Sequence, residues 1–185
     1  LSPDNWMDET YKHSLRQEYN VSVTQGNEKS NFFASVGYLS NEGIVIAKSD
    51  FKRFSARLAA DVQAKPWLKV GANVNYSHID MNSMDNEGES ASTGNIFAAA
   101  NQIAPIYPLY VRNGAGQIMT DAVGNTMYDY GNGMNAGLTR PIFGDSNAVG
   151  DAILNKYNSE GNVLMGNVFA EIRFLKNFKF TSNNS

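Results

Sequence analysis

Between Phe51 and Ala64 apolar and polar residues alternate with little error: Phe54, Ala56, Leu58, Ala60, Val62 and Ala64 share one face, and Arg53, Ser55, Arg57, Asp61 and Gln63 the other. A period of two marks a strand with one face in an apolar environment and one in a polar environment. Leu68, Val70, Ala72, Val74 and Tyr76 repeat the design against Lys69, Gly71, Asn73, Asn75 and Ser77, and Lys65-Pro66-Trp67 is the tight connection between the two strands. Upstream, Tyr19, Val21 and Val23 pass through a turn at 26–30 into Phe32, Ala34, Val36 and Tyr38, a second hairpin. Downstream, Leu164, Gly166, Val168, Ala170, Ile172 and Phe174 pass through 175–177 into Phe178 and Phe180, a third hairpin with a short return strand. The pattern predicts about five full strands plus a truncated one, neighbours antiparallel.

The connections alternate in length. Those at 26–30, 65–67 and 175–177 are short, and those at 41–50 and 81–161 are long. Followed up and down, the chain puts every short turn on one side and every long loop on the other, as outer-membrane barrels do. The alternation persists for about a dozen residues, longer than the roughly 5–6 of a globular strand and enough for the roughly 9–11 of a tilted membrane strand. No charge falls on the apolar faces, and Phe32, Tyr38, Trp67, Tyr76, Phe174 and Phe178 lie near their ends, where aromatic rings suit headgroup belts. The predicted class is all-β: an antiparallel up-and-down section of a membrane β-barrel with one long, partly folded extracellular loop at 81–161. A soluble β-sandwich also buries an uncharged face, but has no reason to gather its long loops at one end.

A connection as long as 81–161 carries structure or function of its own. Asp85, Glu87 and Glu89 form a solvated acidic run whose spacing is out of register for a calcium loop. Thr93 is expected to cap a helix through Ile96, Phe97, Ala98–Ala100 and Ile103, ended by Pro105. Tyr107, Pro108, Tyr110 and Val111 read as an extended stretch, and Asn113-Gly114 as a hairpin turn into Gln117, Ile118 and Met119. Tyr107, Tyr110, Tyr128 and Tyr130 are the partner or ligand candidates, since tyrosine stacks on sugars and supplies rigid area for a protein; the opposing reading is that they pack the loop on itself. If the loop meets a partner, Ile103 to Val111, stiffened by Pro105 and Pro108, is the expected contact segment; the competing reading is that these side chains cover the barrel mouth.

Composition narrows the classes. The 185 residues allow one domain or a piece of a longer chain, and Leu1 together with the abrupt Asn183-Asn184-Ser185 favours the piece. Fifteen basic against 18 acidic residues, intermixed, give no stripe for nucleic acid. Cysteine is absent, which removes disulfides, thiol nucleophiles and thiolate metal sites. No apolar run reaches the 18 residues of a membrane helix, a test that strands escape. His13 and His78 are the two histidines, and the sequence holds no Ser/His/Asp arrangement, HExxH, phosphate-binding loop or GxSxG elbow; Gly131-x-Gly133 is loop glycine. No enzyme activity, catalytic residue, metal or cofactor is expected. The polar face is what remains, and Arg53, Arg57, Asp61, Asn73, Asn75, Glu171 and Arg173 are its candidate lumen-facing residues.

Asn5-Trp6, Asp8-Glu9, Gly26, Glu28-Lys29, Gly37-Tyr38, Gly43-Ile44, Arg53, Arg57, Trp67, Lys69 and Gly71 fall at the spacings of a family pattern, and APIYPLYVRNGAG at 104–116 matches its Pro-x-x-Pro-x-Tyr-x-x-Asn-Gly segment. On these residues the chain resembles the SusC/RagA-like TonB-dependent transporters of the Gram-negative outer membrane, over most of 5–116 and again at 162–180. The resemblance implies a 22-stranded barrel with an N-terminal plug domain, importing glycans, oligosaccharides or peptides. It also implies a SusD-like surface lipoprotein as lid and energy from the TonB complex. This chain reads as a fragment of that barrel spanning 1–185, without plug or TonB-contacting segment. The alternative is a secreted or surface soluble β-protein that binds carbohydrate through its loop tyrosines.

Overall fold

The computed structural model describes residues 3–47, 49–83, 95–155, 157–175 and 177–185. They form two compact units, one of 15–42, 50–81 and 158–185, the other of 1–14, 43–49 and 82–157. Asp85, Glu87, Glu89 and Thr93 lie outside the described residues.

The first unit is a six-stranded sheet in chain order, from β1 (Arg16–Gly26), β2 (Ser30–Glu42), β3 (Asp50–Lys65) and β4 (Leu68–Ser83) to β5 (Tyr157–Phe174) and β6 (Phe178–Asn184). The expected five long strands and one short one are present, and each short turn has a local cause. At 27–29 the Asn27 side-chain oxygen accepts the Lys29 and Ser30 N–H groups, both at 2.8 Å. At 66–67, Pro66 presets φ for a two-residue link between paired Lys65 and Leu68.

Register fixes what shares a face. Phe32, Ala60 and Ala72 form one row, Ala34, Leu58 and Val74 the next, then Val36, Ala56 and Tyr76, then Tyr38, Phe54 and His78. Val23, Val21 and Tyr19 of β1 extend the last three. These side chains are not packed away within the sheet: Val21 is 74% exposed, Leu58 55% and Leu164 72%. Ten rises of about 3.3 Å separate Phe54 from Ala64, and strands inclined at about 45° would make that a band about 23 Å tall, close to the ~25 Å apolar belt of membrane barrels.

The strands outrun the periodicity at one end. The β2–β3 connection occupies 43–49, inside the expected 41–50, and the β4–β5 connection 84–156, inside the expected 81–161. Tyr157-Asn158-Ser159-Glu160-Gly161 is strand without alternation, because both faces are polar beyond the apolar band. Tyr76 donates its hydroxyl to Asn162 Oδ1 at 2.8 Å, and His78 Nδ1 lies 3.0 Å from the same oxygen, so the polar margin begins with paired groups.

The second unit is wound from three separated segments. Tyr11 bridges Val45, with Lys12 N–H donating to Ile44 O at 2.7 Å and Ile46 N–H to Thr10 O at 2.8 Å. Two seven-residue helices follow, α1 (Ile96–Gln102) and α2 (Ala148–Leu154). Asn95 caps α1, its oxygen accepting the Phe97 and Ala98 N–H groups; Asn147 caps the unforeseen α2 by accepting from Gly150. Trp6, Val45, Ile96, Ala99, Ile103, Leu109, Phe143, Ala148 and Val149 form the core.

Candidate functional site

All seven polar-face candidates lie opposite the apolar rows. Asp61 pairs with Lys69 at 2.9 Å and accepts from Asn31 at 3.1 Å. Glu171 is flanked by Arg173 and Lys179, each at 2.9 Å. The Arg57 guanidinium sits 5.7 Å from the Phe33 ring centre, and Asn75 faces Arg57 in register. Arg53 stands between Leu39 and Ile79. Asn73 Oδ1 is out of solvent and has no hydrogen-bond partner among the described residues. Phe169 lies across Gly71, where a Cβ would come within 2.3 Å of its ring. Several of the charged groups are therefore already engaged with one another.

In the second unit, the N-terminal segment holds the long connection. Trp6 is 1% exposed and its indole N–H donates to Tyr107 O at 2.9 Å. Asp4 accepts from the Leu109 N–H at 2.8 Å and pairs with Arg112 at 2.5 Å. Arg140 stacks 5.2 Å from the Trp6 ring centre and donates to Asp129 O and Ser146 O. Burial pulls the Arg140 guanidinium down from its ordinary value, opposed by the Asp129 carboxylate. Fully buried Asn147 donates to Leu109 O and Asp129 O while capping α2. Trp6 carried a signal in the sequence through the Asn-Trp pattern, and Tyr107, Leu109 and Arg112 through the segment at 104–116; Asp4, Arg140 and Asn147 become visible only in three dimensions.

The four tyrosines divide. Tyr107 packs against the core. The Tyr110 hydroxyl donates to Glu9 at 2.6 Å and its ring lies 5.6 Å from that of Tyr128, so burial, then Glu9, push its phenol up from the ordinary value. Burial raises Tyr128 as well. Tyr130 is pushed up to about 12 by burial and by its 2.6 Å hydrogen bond to Asp151. Ile103, Pro108 and Leu109, from the expected contact segment, point into the core, leaving Pro105 and Ile106 outside. Tyr128 and Tyr130 line a recess of about 310 Å³ with Val111, Met127, Met134 and Leu154.

The backbone beside this recess forms a closed ring. Met119 N–H donates to Val111 O (2.8 Å), Met127 N–H to Met119 O (3.0 Å) and Val111 N–H back to Met127 O (2.9 Å). Three extended stretches thus each bridge the other two, at Arg112–Ile118, Thr120–Thr126 and Tyr110–Tyr128. The spacing is eight residues, and Asn113 and Asp121 start equivalent turns by accepting the N–H groups two and four residues on. Gly116 and Gly124 take positive φ in those turns. Asn113 does open a hairpin turn, as its pairing with Asn-Gly chemistry predicted, but the turn is a longer one. The octad was the sequence signal for the ring: Asn113, Asp121 and Asp129 recur at its period.

A six-stranded up-and-down sheet with one bare apolar face and one polar face is the architecture of a β-barrel section. No family model matches the chain. It is 28% identical over 125 residues to TonB-dependent receptor P26 of Formosa agariphila, covering 66% of this chain and 12% of that protein. It is 27% identical over 107 residues to TonB-dependent receptor SusC of Bacteroides thetaiotaomicron, covering 57% and 10%. The fold matches the solved RagAB peptide transporter with a TM-score of 0.70 at 24% identity, over 98% of this chain and 18% of that one, and the RagAB peptide importer in its open-open state with a TM-score of 0.71. The chain is similar to a barrel fragment of the SusC/RagA-like TonB-dependent transporters, and spans about a tenth of the length of the curated relatives it matches.

Proposed function

We propose that the chain is a section of a TonB-dependent transporter in the outer membrane of a Gram-negative bacterium, with β1 to β6 crossing the lipid, apolar rows outward. The whole protein then imports glycans, oligosaccharides or peptides beneath a SusD-like surface lipoprotein, drawing energy from the TonB complex through other parts of the transporter. The observation that carries this reading is the uncharged, exposed apolar band across the sheet. In water each bare Val, Leu, Ile or Phe forfeits about 1.5–3 kcal/mol of burial, which lipid supplies. Arg53, Arg57, Asp61, Asn73, Asn75, Glu171 and Arg173 line the lumen in this arrangement; Asp61 and Glu171 are held by Lys69, Arg173 and Lys179, while Asn73 Oδ1 is open to a donor from whatever fills the barrel. The short turns face the periplasm, and the unit built from 1–14, 43–49 and 82–157 faces outside. The alternative, a soluble carbohydrate-binding β-protein, leaves the apolar face without a role.

The test is cysteine substitution in the whole protein with a membrane-impermeant thiol reagent. Arg57→Cys and Asn73→Cys are expected to label, and Leu58→Cys and Val70→Cys to resist; the reverse order would overturn the facing. Protease applied to intact cells is expected to cut within 84–156 rather than near Lys65, and cleavage confined to Lys65 would invert the topology.

A further inference from the structure

We infer that the recess beside the backbone ring is a subsite for one ring of a neutral sugar; the assignment rests on the transporter reading for placing this unit where a nutrient meets it. Its volume of about 310 Å³ is at the lower end of the roughly 300–1,000 Å³ of small-molecule sites. The lining contains no Lys or Arg and includes two carboxylates, Asp121 and Asp129, so an anionic ligand is repelled. Both carboxylates are occupied internally: Asp121 accepts from the Val123 and Asn125 backbones and from Asn125 Nδ2, and Asp129 from the Gly131 backbone and Asn135 Nδ2. The polar groups left over are neutral. The Thr126 and Tyr128 hydroxyls and the Asn132 amide nitrogen have no hydrogen bond among the described residues. Hydroxyls that donate and accept are complementary to ligand hydroxyls, and Tyr130 with Met127 supplies apolar surface for a ring face. A peptide adding as a strand finds no open edge here, because Thr126 and Tyr128 are bridged on opposite sides and Met127 N–H and C=O both belong to the ring.

Calorimetric titration of the whole detergent-solubilised transporter tests this, with three classes of probe. These are neutral hexasaccharides (maltohexaose, xylohexaose, mannohexaose, laminarihexaose), oligogalacturonate, and a tryptic casein digest. Binding of a neutral hexasaccharide is expected, weakened about 5- to 150-fold by Thr126→Val combined with Tyr128→Phe, which remove two hydroxyls and keep the packing. Heat-modifiable mobility establishes that the variant is assembled. Neutral binding unchanged by the pair puts the sugar elsewhere and overturns the subsite. Absence of neutral binding, or loss in the variant of oligogalacturonate or peptide binding only, overturns its chemistry. None of these outcomes alters the thiol-labelling pattern on which the transporter reading stands or falls.

Discussion

Leu58→Arg probes the membrane assignment near the middle of the apolar rows. Leu58 lies between Ala34 and Val74 in the apolar rows and is 55% exposed. Four rises of about 3.3 Å put it about 13 Å along the strand from Phe54, which at a ~45° tilt is about 9 Å below the Phe54 row in a band about 23 Å tall. An arginine near the midplane of a membrane barrel costs about 2–4 kcal/mol, or roughly a 30- to 900-fold shift in the folding equilibrium. Ala59→Arg, one residue on, places the same charge on the polar face and is expected to cost much less. The assay is the fraction of the whole transporter that acquires heat-modifiable mobility when diluted from urea into vesicles. Leu58→Arg assembling as well as the parent, or worse assembly by Ala59→Arg, would refute the assignment of faces.

Other expectations concern packing and protonation. Trp6→Ala should destabilise the unit containing 95–155 by about 3–5 kcal/mol, and Trp6→Phe, which strands Tyr107 O, by about 1–3 kcal/mol; both are read as faster proteolysis in that region with the barrel still assembled. Gly71→Ala should lower assembly because its Cβ meets the Phe169 ring and, at 2.9 Å, the Ala60 carbonyl, and Phe169→Leu should restore the part of the loss due to the ring; no rescue at all would place the strain at the backbone. Tyr130, ordinarily near 10, is held to about 12, so the unfolded chain loses its phenolic proton first as pH rises. Its contribution is therefore complete below about pH 10 and declines between about 10 and 12. Tryptophan fluorescence melts should show that decline, and Tyr130→Phe should lessen it, the remainder coming from Tyr110 and Tyr128, whose phenols are raised as well.

The sheet was legible because β3 and β4 pass through two environments whose boundary is the pleat itself, so every second residue reports it. Where both environments become polar, at Tyr157–Gly161, the report stops and the strand end is invisible to periodicity. The second unit obeys a different logic. Its core joins Trp6, Val45, Ile96, Leu109 and Val149 across most of the chain, with no repeating interval between them. Helix α2 carries Gly150 in its interior, a poor helix former kept because a Cβ there would collide with Tyr128. The tyrosines were found by type, but whether each ring faced core or recess depended on distant partners, Glu9 for Tyr110 and Asp151 for Tyr130. The buried polar residues gave no warning, since Asn147 looks like any other asparagine in a chain rich in them.

The ring at Val111, Met119 and Met127 is closed by main-chain groups alone; of the first two turns that project from it, the one at 121–125 is tied by Asp121, and the one at 113–117 by Asn113 and by Arg112, which donates to Gly116 O. A Cβ at Gly114, Gly116 or Gly124 would meet nothing, and Val123 is 84% exposed. Architecture and outward sequence are thereby uncoupled: the ring can stay constant while residues 114–115 and 122–123 are rewritten. Those two tips are accordingly places to insert a short affinity epitope or a spectroscopic label, giving a handle on this unit without disturbing the strands.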